Sequence, residues 1–141
     1  MLTVEQSSQL WDLIRKEGCL FYNPYPGVVN AVSRLHQLVD VFAVTAPMKK
    51  SPRWTSDRDQ WCEEVLGIPF ERMVHTKAKY IFSGDMLVDD KPQNIEEWAE
   101  EHAGVPVLWT QPYNKNHHFN PAIERRVVRT NSWEDIIAYC L

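Results

Sequence analysis

No stretch of about 18 consecutive apolar residues occurs in the chain, so no segment is expected to cross a membrane as a helix. The N-terminus has no basic segment followed by an apolar one, so no signal peptide is expected. Cysteine is scarce. Cys19, Cys62 and Cys140 are odd in number, far apart, and form neither a metal-ligand nor a redox spacing. They read as free thiols in a reducing cytoplasm, which sets the expected location. A surplus of positive charge is also missing. The net charge of -4 argues against a nucleic-acid polymer as partner, because neutralising a phosphate backbone takes an excess of Lys and Arg. It leaves room for a small phosphate ester, which one local cluster of donors can hold. There is no internal repeat and no low-complexity segment.

What is present is ordinary for a folded protein. The 141 residues suffice for one compact domain with a real core, and a single domain over 1–141 is expected. Apolar residues make up 44% and charged residues 24%, as in soluble globular chains. The six Trp read mostly as core or rim packing, since each buries a large area behind one polar tip.

Helix and strand patterns alternate along the chain, which predicts an α/β fold with a mostly parallel sheet. Thr3 and Gln6 form a capping box, so a helix starts near Val4, with Leu10, Leu13 and Ile14 on one face and Gly18 at its end. After the Pro-rich connection 19–27, Pro26 opens a helix that buries Val28, Val29, Val32 and Leu35. Residues 39–45 read as a strand buried on both faces. A basic loop, 46–54, leads to a helix from about Ser56 to Leu66 that Gly67 terminates. Residues 70–75 and 85–90 read as strands, and Pro92 starts a helix carrying Ile95 and Trp98 inward. Strands follow at 105–110 and around Val127 and Val128, and Ser132 with Asp135 caps a last helix.

In an open parallel sheet, ligands bind at the carboxyl ends of the strands. Three such ends carry suggestive chemistry. Thr45-Ala46-Pro47 offers a hydroxyl and the backbone N–H after it to a phosphate oxygen, although a Thr before a proline turn also fits. Lys79 supplies a point charge suited to phosphate, although a solvated lysine also fits. Asp89-Asp90, directly after an apolar strand, is a hard-oxygen pair suited to Mg²⁺. Capping of the helix opened by Pro92 explains one of these acids but not both. His117 and His118 read as loop surface.

Taken in order, strand-Thr, Lys and strand-Asp-Asp resemble the second, third and fourth motifs of haloacid-dehalogenase-like phosphatases. The segments YNPYPGVVNAV, VFAVTAPMKKSP, HTKAKYIFSGDMLVDDKPQNI and VLWTQPYNK resemble the 5'(3')-deoxyribonucleotidase branch of that superfamily. The resemblance implies a Rossmann-like three-layer core and a Mg²⁺-dependent phosphatase acting on a nucleoside monophosphate. It implies that Thr45 and the backbone at Ala46 bind the phosphoryl group and that Lys79, rather than Lys77, bridges it to the nucleophile. Asp89 and Asp90 then hold Mg²⁺ directly or through water, and Tyr113 and Asn114 lie near the rim. Trp54, in the basic loop, is a candidate for stacking a base, although a packing role fits equally well.

The same resemblance exposes an absence. The family begins with an Asp-x-Asp motif whose first acid attacks phosphorus and whose second handles the proton. No Asp-x-Asp occurs ahead of Thr45, and residues 1–18 already resemble the last helix of the cap. Asp12 lies mid-helix, Asp40 starts its strand, and Asp57 and Asp59 follow no apolar strand, so none is expected to substitute. The missing segment is also a strand, expected between those ending at Thr45 and Asp89. Strands lie about 4.8 Å apart, and two separated by a third about 10 Å apart, so its absence either leaves open edges or forces direct pairing. The chain alone is therefore expected to be inactive. It reads as the larger piece of a phosphatase whose nucleophile sits on a separate polypeptide or an upstream segment. The alternatives are an inactive module that binds phosphate or nucleotide, and an interaction domain that pairs its open strands with a second copy or a partner chain.

Overall fold

The computed structural model describes residues 1–141 apart from Leu2 and Phe21 and the side chains of residues 11 and 13–17. The chain forms two compact units, Met1–Lys77 with Ile137–Leu141, and Ala78–Ile136. The architecture is mixed α/β, and every strand pairing among the described residues is parallel.

The first unit opens with α1 (Val4–Glu17). Its capping box forms as the sequence requires: Gln6 N–H donates to Thr3 Oγ1 at 3.1 Å, and Thr3 N–H donates to Gln6 Oε1 at 2.9 Å. The expected apolar face is not borne out at Leu10, which is exposed, while the side chains of Leu13 and Ile14 lie outside the described residues. Gly18 ends the helix with φ +74°, and an added Cβ there would stand 2.0 Å from Asp57 Oδ2. The left-handed backbone there favours glycine, and a larger residue would also have to displace the Asp57 carboxylate. The next helix, α2 (Val28–Leu35), buries Ala31, Val32 and Leu35. Val29 faces outward instead, because the buried stripe takes positions three and four apart and passes it by.

Strand β1 is only Ala43–Thr45, shorter than the expected 39–45. Its partner sets the length. Residues Phe70–Arg72 make a short 3-10 turn, so β2 begins at Met73 and ends at His75. The register is Ala43 with Met73, Val44 with Val74 and Thr45 with His75. Leu38 and Val39 lie in the turn that closes α2, each accepting no strand partner because its N–H donates to Leu35 O at 2.9 Å. Between the two strands runs α3 (Trp54–Leu66), which starts two residues earlier than expected and ends on Gly67 at φ +64°. It buries Trp54, Asp57, Trp61 and Cys62. Trp61, Cys62, Val32 and Ile68 form the core, with Val41, Ala43 and Met73 against it.

The second unit is a sheet of three strands in the order β3 (Met86–Asp89), β4 (Val105–Trp109) and β5 (Val128–Thr130). Central β4 is a near-continuous apolar run, as a strand covered on both faces should be. It also contains a proline. Val105 N–H donates to Asp85 O at 2.8 Å, so position 106 faces the other way, toward β5. The β5 pairing begins only at Val107, so Pro106 removes no ladder bond. Between β3 and β4, α4 (Pro92–Glu101) carries Pro92 in its first turn and buries Ile95, Trp98 and Ala99. Arg126 ties its far end, donating to Ala99 O at 2.6 Å, His102 O at 2.6 Å and Gly104 O at 3.0 Å. Ile95, Ala99 and Leu108 form the core with Phe119 and with Ile123 of α5 (Pro121–Glu124). The last helix, α6 (Trp133–Cys140), is held at its start by Thr130 rather than Ser132: Thr130 Oγ1 donates to Asp135 Oδ2 at 2.6 Å and accepts from Ser132 N–H at 2.9 Å.

Candidate active site

The carboxyl end of β3 concentrates the polar chemistry of the second unit. Asp89 is the last residue of the strand, and its side chain is 3% exposed. An anion at that depth requires partners, and it has three. Lys79 Nζ donates to Oδ2 at 2.6 Å, Asn94 Nδ2 donates to Oδ2 at 3.0 Å, and the backbone N–H of Lys91 donates to Oδ1 at 2.8 Å. Local sequence arranges all of them. The Lys79–Ile81 turn precedes the strand and brings the ammonium back over its end, while Pro92 sets the helix start that aims Lys91 N–H and Asn94 at the carboxylate. Lys77, by contrast, is exposed.

Asp90 follows outside the strand and is half-buried. Its carboxylate accepts a hydrogen bond from the Tyr113 hydroxyl, and its backbone carbonyl accepts from Asn114 Nδ2 at 2.7 Å. Tyr113 is exposed, whereas Asn114 is buried.

The pair suits a hard cation. Mg²⁺ is bound through one or two carboxylates and keeps several waters. A carboxylate offers about four acceptor sites, so Asp89 retains one beyond its three donors, and Asp90 retains more. Among the described residues no group of three or more His, Cys, Asp or Glu converges as a metal cage, so water or ligand oxygens would complete the shell.

Thr45 and Ala46 belong to the first unit. Thr45 is the final residue of β1, partly buried, and its carbonyl accepts from Thr76 N–H at 2.9 Å. Ala46, also partly buried, opens the loop beyond it. Directly across from Thr45 stands His75, whose Nε2 lies 2.6 Å from Asp59 Oδ1 on α3. Asp59, which follows no apolar strand, thus meets His75, a residue that no motif in the sequence marks. The available signal was a polar residue ending the apolar MVH strand at its carboxyl end. Asp40 and Asp57 have structural tasks. Asp40 pairs with Arg72 at 2.9 Å, and Asp57 sits buried in the first turn of α3 with Arg53 Nε at 3.6 Å. Trp54 is no open platform for a base: it is 8% exposed, with Arg58 over its ring at 5.2 Å and Tyr22 edge-on at 6.2 Å.

The three thiols are free, with Cys19 and Cys62 buried. Burial pushes the Cys62 thiol up to about 11 and raises Cys19 as well, so neither is a nucleophile at neutral pH. Among the described residues, no helix is long and apolar enough to cross a membrane.

The chain is similar to known proteins. The profile of the family described as 5' nucleotidase, deoxy (pyrimidine), cytosolic type C protein matches residues 2–140. The human cytosolic-type 5'(3')-deoxyribonucleotidase is 30% identical over 117 residues, covering 81% of this chain and 58% of the relative. The mouse mitochondrial 5'(3')-deoxyribonucleotidase is 32% identical over 135 residues, covering 93% of this chain and 58% of the relative. A putative 5'(3')-deoxyribonucleotidase of Staphylococcus aureus is 28% identical over 141 residues, covering 97% of this chain and 71% of the relative. The chain thus spans 58% of the length of the human and mouse relatives, and it belongs to the deoxyribonucleotidase-type 5' nucleotidase family.

Proposed function

We propose that the chain is the larger piece of a Mg²⁺-dependent phosphatase that hydrolyses nucleoside monophosphates, with its nucleophilic Asp supplied by a segment outside this sequence. The observation that carries this reading is the pair of partly buried Lys79 with buried Asp89 at the end of β3, with Asp90 beside it, in a chain of this family. An ammonium held at 2.6 Å from a carboxylate is a poised cation that a phosphoryl oxygen can share. On the first unit, Thr45 Oγ1 and the backbone N–H of Ala46 are neutral donors of the kind a phosphoryl oxygen accepts from. When bound, Mg²⁺ supplies Lewis-acid stabilisation of phosphoryl charge, and Asp89 and Asp90 are the residues that hold it. The attack itself belongs to the absent acid.

The strand pairings suit such a completion. Among the described residues, β1 pairs only with β2, and β3 pairs on one side only, with β4. Each leaves an edge whose backbone groups can accept a further strand. A strand carrying Asp-x-Asp against the free edge of β3 would deliver the nucleophile to the carboxyl end where Lys79, Asp89 and Asp90 lie. That strand comes either from an upstream segment or from a partner chain. The expected cytoplasmic setting, where thiols stay reduced, belongs to the same reading.

Two measurements test it. The DNA upstream of Met1 and in neighbouring genes is translated in all frames. An Asp-x-Asp segment after an apolar run is expected, and its absence everywhere counts against the reading. Supplying that segment as a peptide is then expected to confer Mg²⁺-dependent release of phosphate from a nucleoside monophosphate. A second reading rests on the sequence ahead of Thr45, which contains no Asp-x-Asp. There the chain is an inactive module that binds phosphate or nucleotide, or pairs its open strands with another chain. Calorimetric heat with nucleoside monophosphate, combined with no turnover after strand addition, favours it.

A further inference from the structure

The turn after β4 grips Asp90 at two separate points. Asn114 is 1% exposed. Its Nδ2 donates to Asp90 O at 2.7 Å and to Trp109 O at 2.9 Å, and its Oδ1 accepts from Gln111 N–H at 2.8 Å. Both amide hydrogens and the amide oxygen are therefore used, and a buried amide satisfied in this way is fixed in place. It links the carbonyl just beyond the end of β3 to the carbonyl at the end of β4. The neighbouring residue, Tyr113, reaches the same target from outside, donating its hydroxyl to the Asp90 carboxylate.

A turn that merely stabilised itself would account for the bonds to Gln111 and Trp109 alone. It would not account for the bond across to Asp90 O or for a phenol at a 68% exposed position aimed at a carboxylate. Carboxylates that bind metals are held by hydrogen bonds of this kind, which fix the ligating oxygens before the ion arrives. We propose that Tyr113 and Asn114 are positioning residues for the divalent-cation site, Asn114 fixing the main chain of Asp90 and Tyr113 orienting its carboxylate. This rests on the reading that Asp89 and Asp90 hold Mg²⁺. The predicted consequence is specific: the Tyr113 hydroxyl contributes to cation affinity without contributing to the core.

Titration of the 141-residue chain with MgCl₂ by calorimetry tests this, using wild type, Tyr113→Phe, Asn114→Ala and Asp90→Asn, with thermal melting of each. Tyr113→Phe is expected to weaken Mg²⁺ binding about tenfold with an unchanged melting temperature. Asn114→Ala is expected to weaken it at least as much and to melt lower, because three backbone groups lose their partner. If Asn114→Ala does not fold, Tyr113→Phe carries the decision. Wild-type binding with a Tyr113→Phe affinity within about twofold, or tighter, overturns the proposal and leaves the metal reading standing. If the wild type gives no more heat than Asp90→Asn, the metal reading fails and this inference falls with it.

Discussion

Lys79 and Asp89 illustrate how depth decides the worth of a charge. At the surface such a pair contributes little. Here the side chains are 15% and 3% exposed, so removing the cation leaves a buried carboxylate with only neutral donors. Lys79→Met is expected to cost about 2–3 kcal/mol, a little below the fully buried case. Millimolar Mg²⁺ should recover more of the lost melting temperature in the variant than it adds to wild type, since a cation then replaces the ammonium at Asp89. Equal shifts in both proteins would contradict the assigned pair. Cys62 gives a pH prediction. Burial raises its thiol from 9.0 to about 11, so the folded state holds its proton more tightly than the unfolded state does. The associated stability is complete below the unfolded value and is lost as pH rises from about 9 to about 11. Denaturant titrations at pH 8 and 10.5 should show a loss that is smaller in Cys62→Ala. Cys19, raised by the same cause, would supply the remainder. The polar site residues were the part of this scale most legible in sequence, because Asp89-Asp90 sits where an apolar strand stops. His75 was not, and Asn114 was placed only near the rim, because the partners that give them meaning lie 16 and 24 positions away.

Elements depend on glycine in two distinct ways here. Gly67 closes α3 with φ +64°, and the nearest atom to an added Cβ is His36 Nε2 at 3.8 Å. Gly67→Ala therefore meets only the left-handed backbone penalty, about 1 kcal/mol. Gly104 precedes β4 with no such φ, but an added Cβ would meet Gly84 O at 2.6 Å, a Trp98 ring carbon at 2.7 Å and Asp85 O at 2.8 Å. Two of those are backbone atoms that cannot swing aside. Gly104→Ala should cost about 3 kcal/mol, the larger loss of the two, and chemical denaturation orders them. The reverse order would mean that the approach of 84–85 to Gly104 is looser than described. At this scale the capping box at Thr3, the glycine stop at Gly67 and the proline start at Pro92 were all readable, because each is local chemistry. Strand lengths were not. Residues 39–42 carry an apolar pattern yet remain outside β1, because a strand is as long as its partner, and the turn at Phe70–Arg72 shortens β2.

For the whole molecule, the purified 141-residue chain is expected to show no nucleotidase turnover, because aspartyl-phosphate chemistry needs an acid placed at the sheet's carboxyl edge. Release of phosphate from a nucleoside monophosphate by this chain alone, abolished in Asp89→Asn, would refute that expectation and point to an acid within the sequence. The chain by itself determined the alternation of helices and parallel strands, the family, and the ordered Thr45, Lys79 and Asp89-Asp90 pattern, because apolar periodicity, caps and short motifs are written in neighbouring residues. Only the tertiary structure decided which side chains meet. It turned Lys79 from a plausible surface lysine into the partner of Asp89, took Trp54 into the interior, paired His75 with Asp59, and made Asn114 the support of Asp90. Those outcomes depend on burial and on hydrogen bonds between distant positions, which no local pattern encodes.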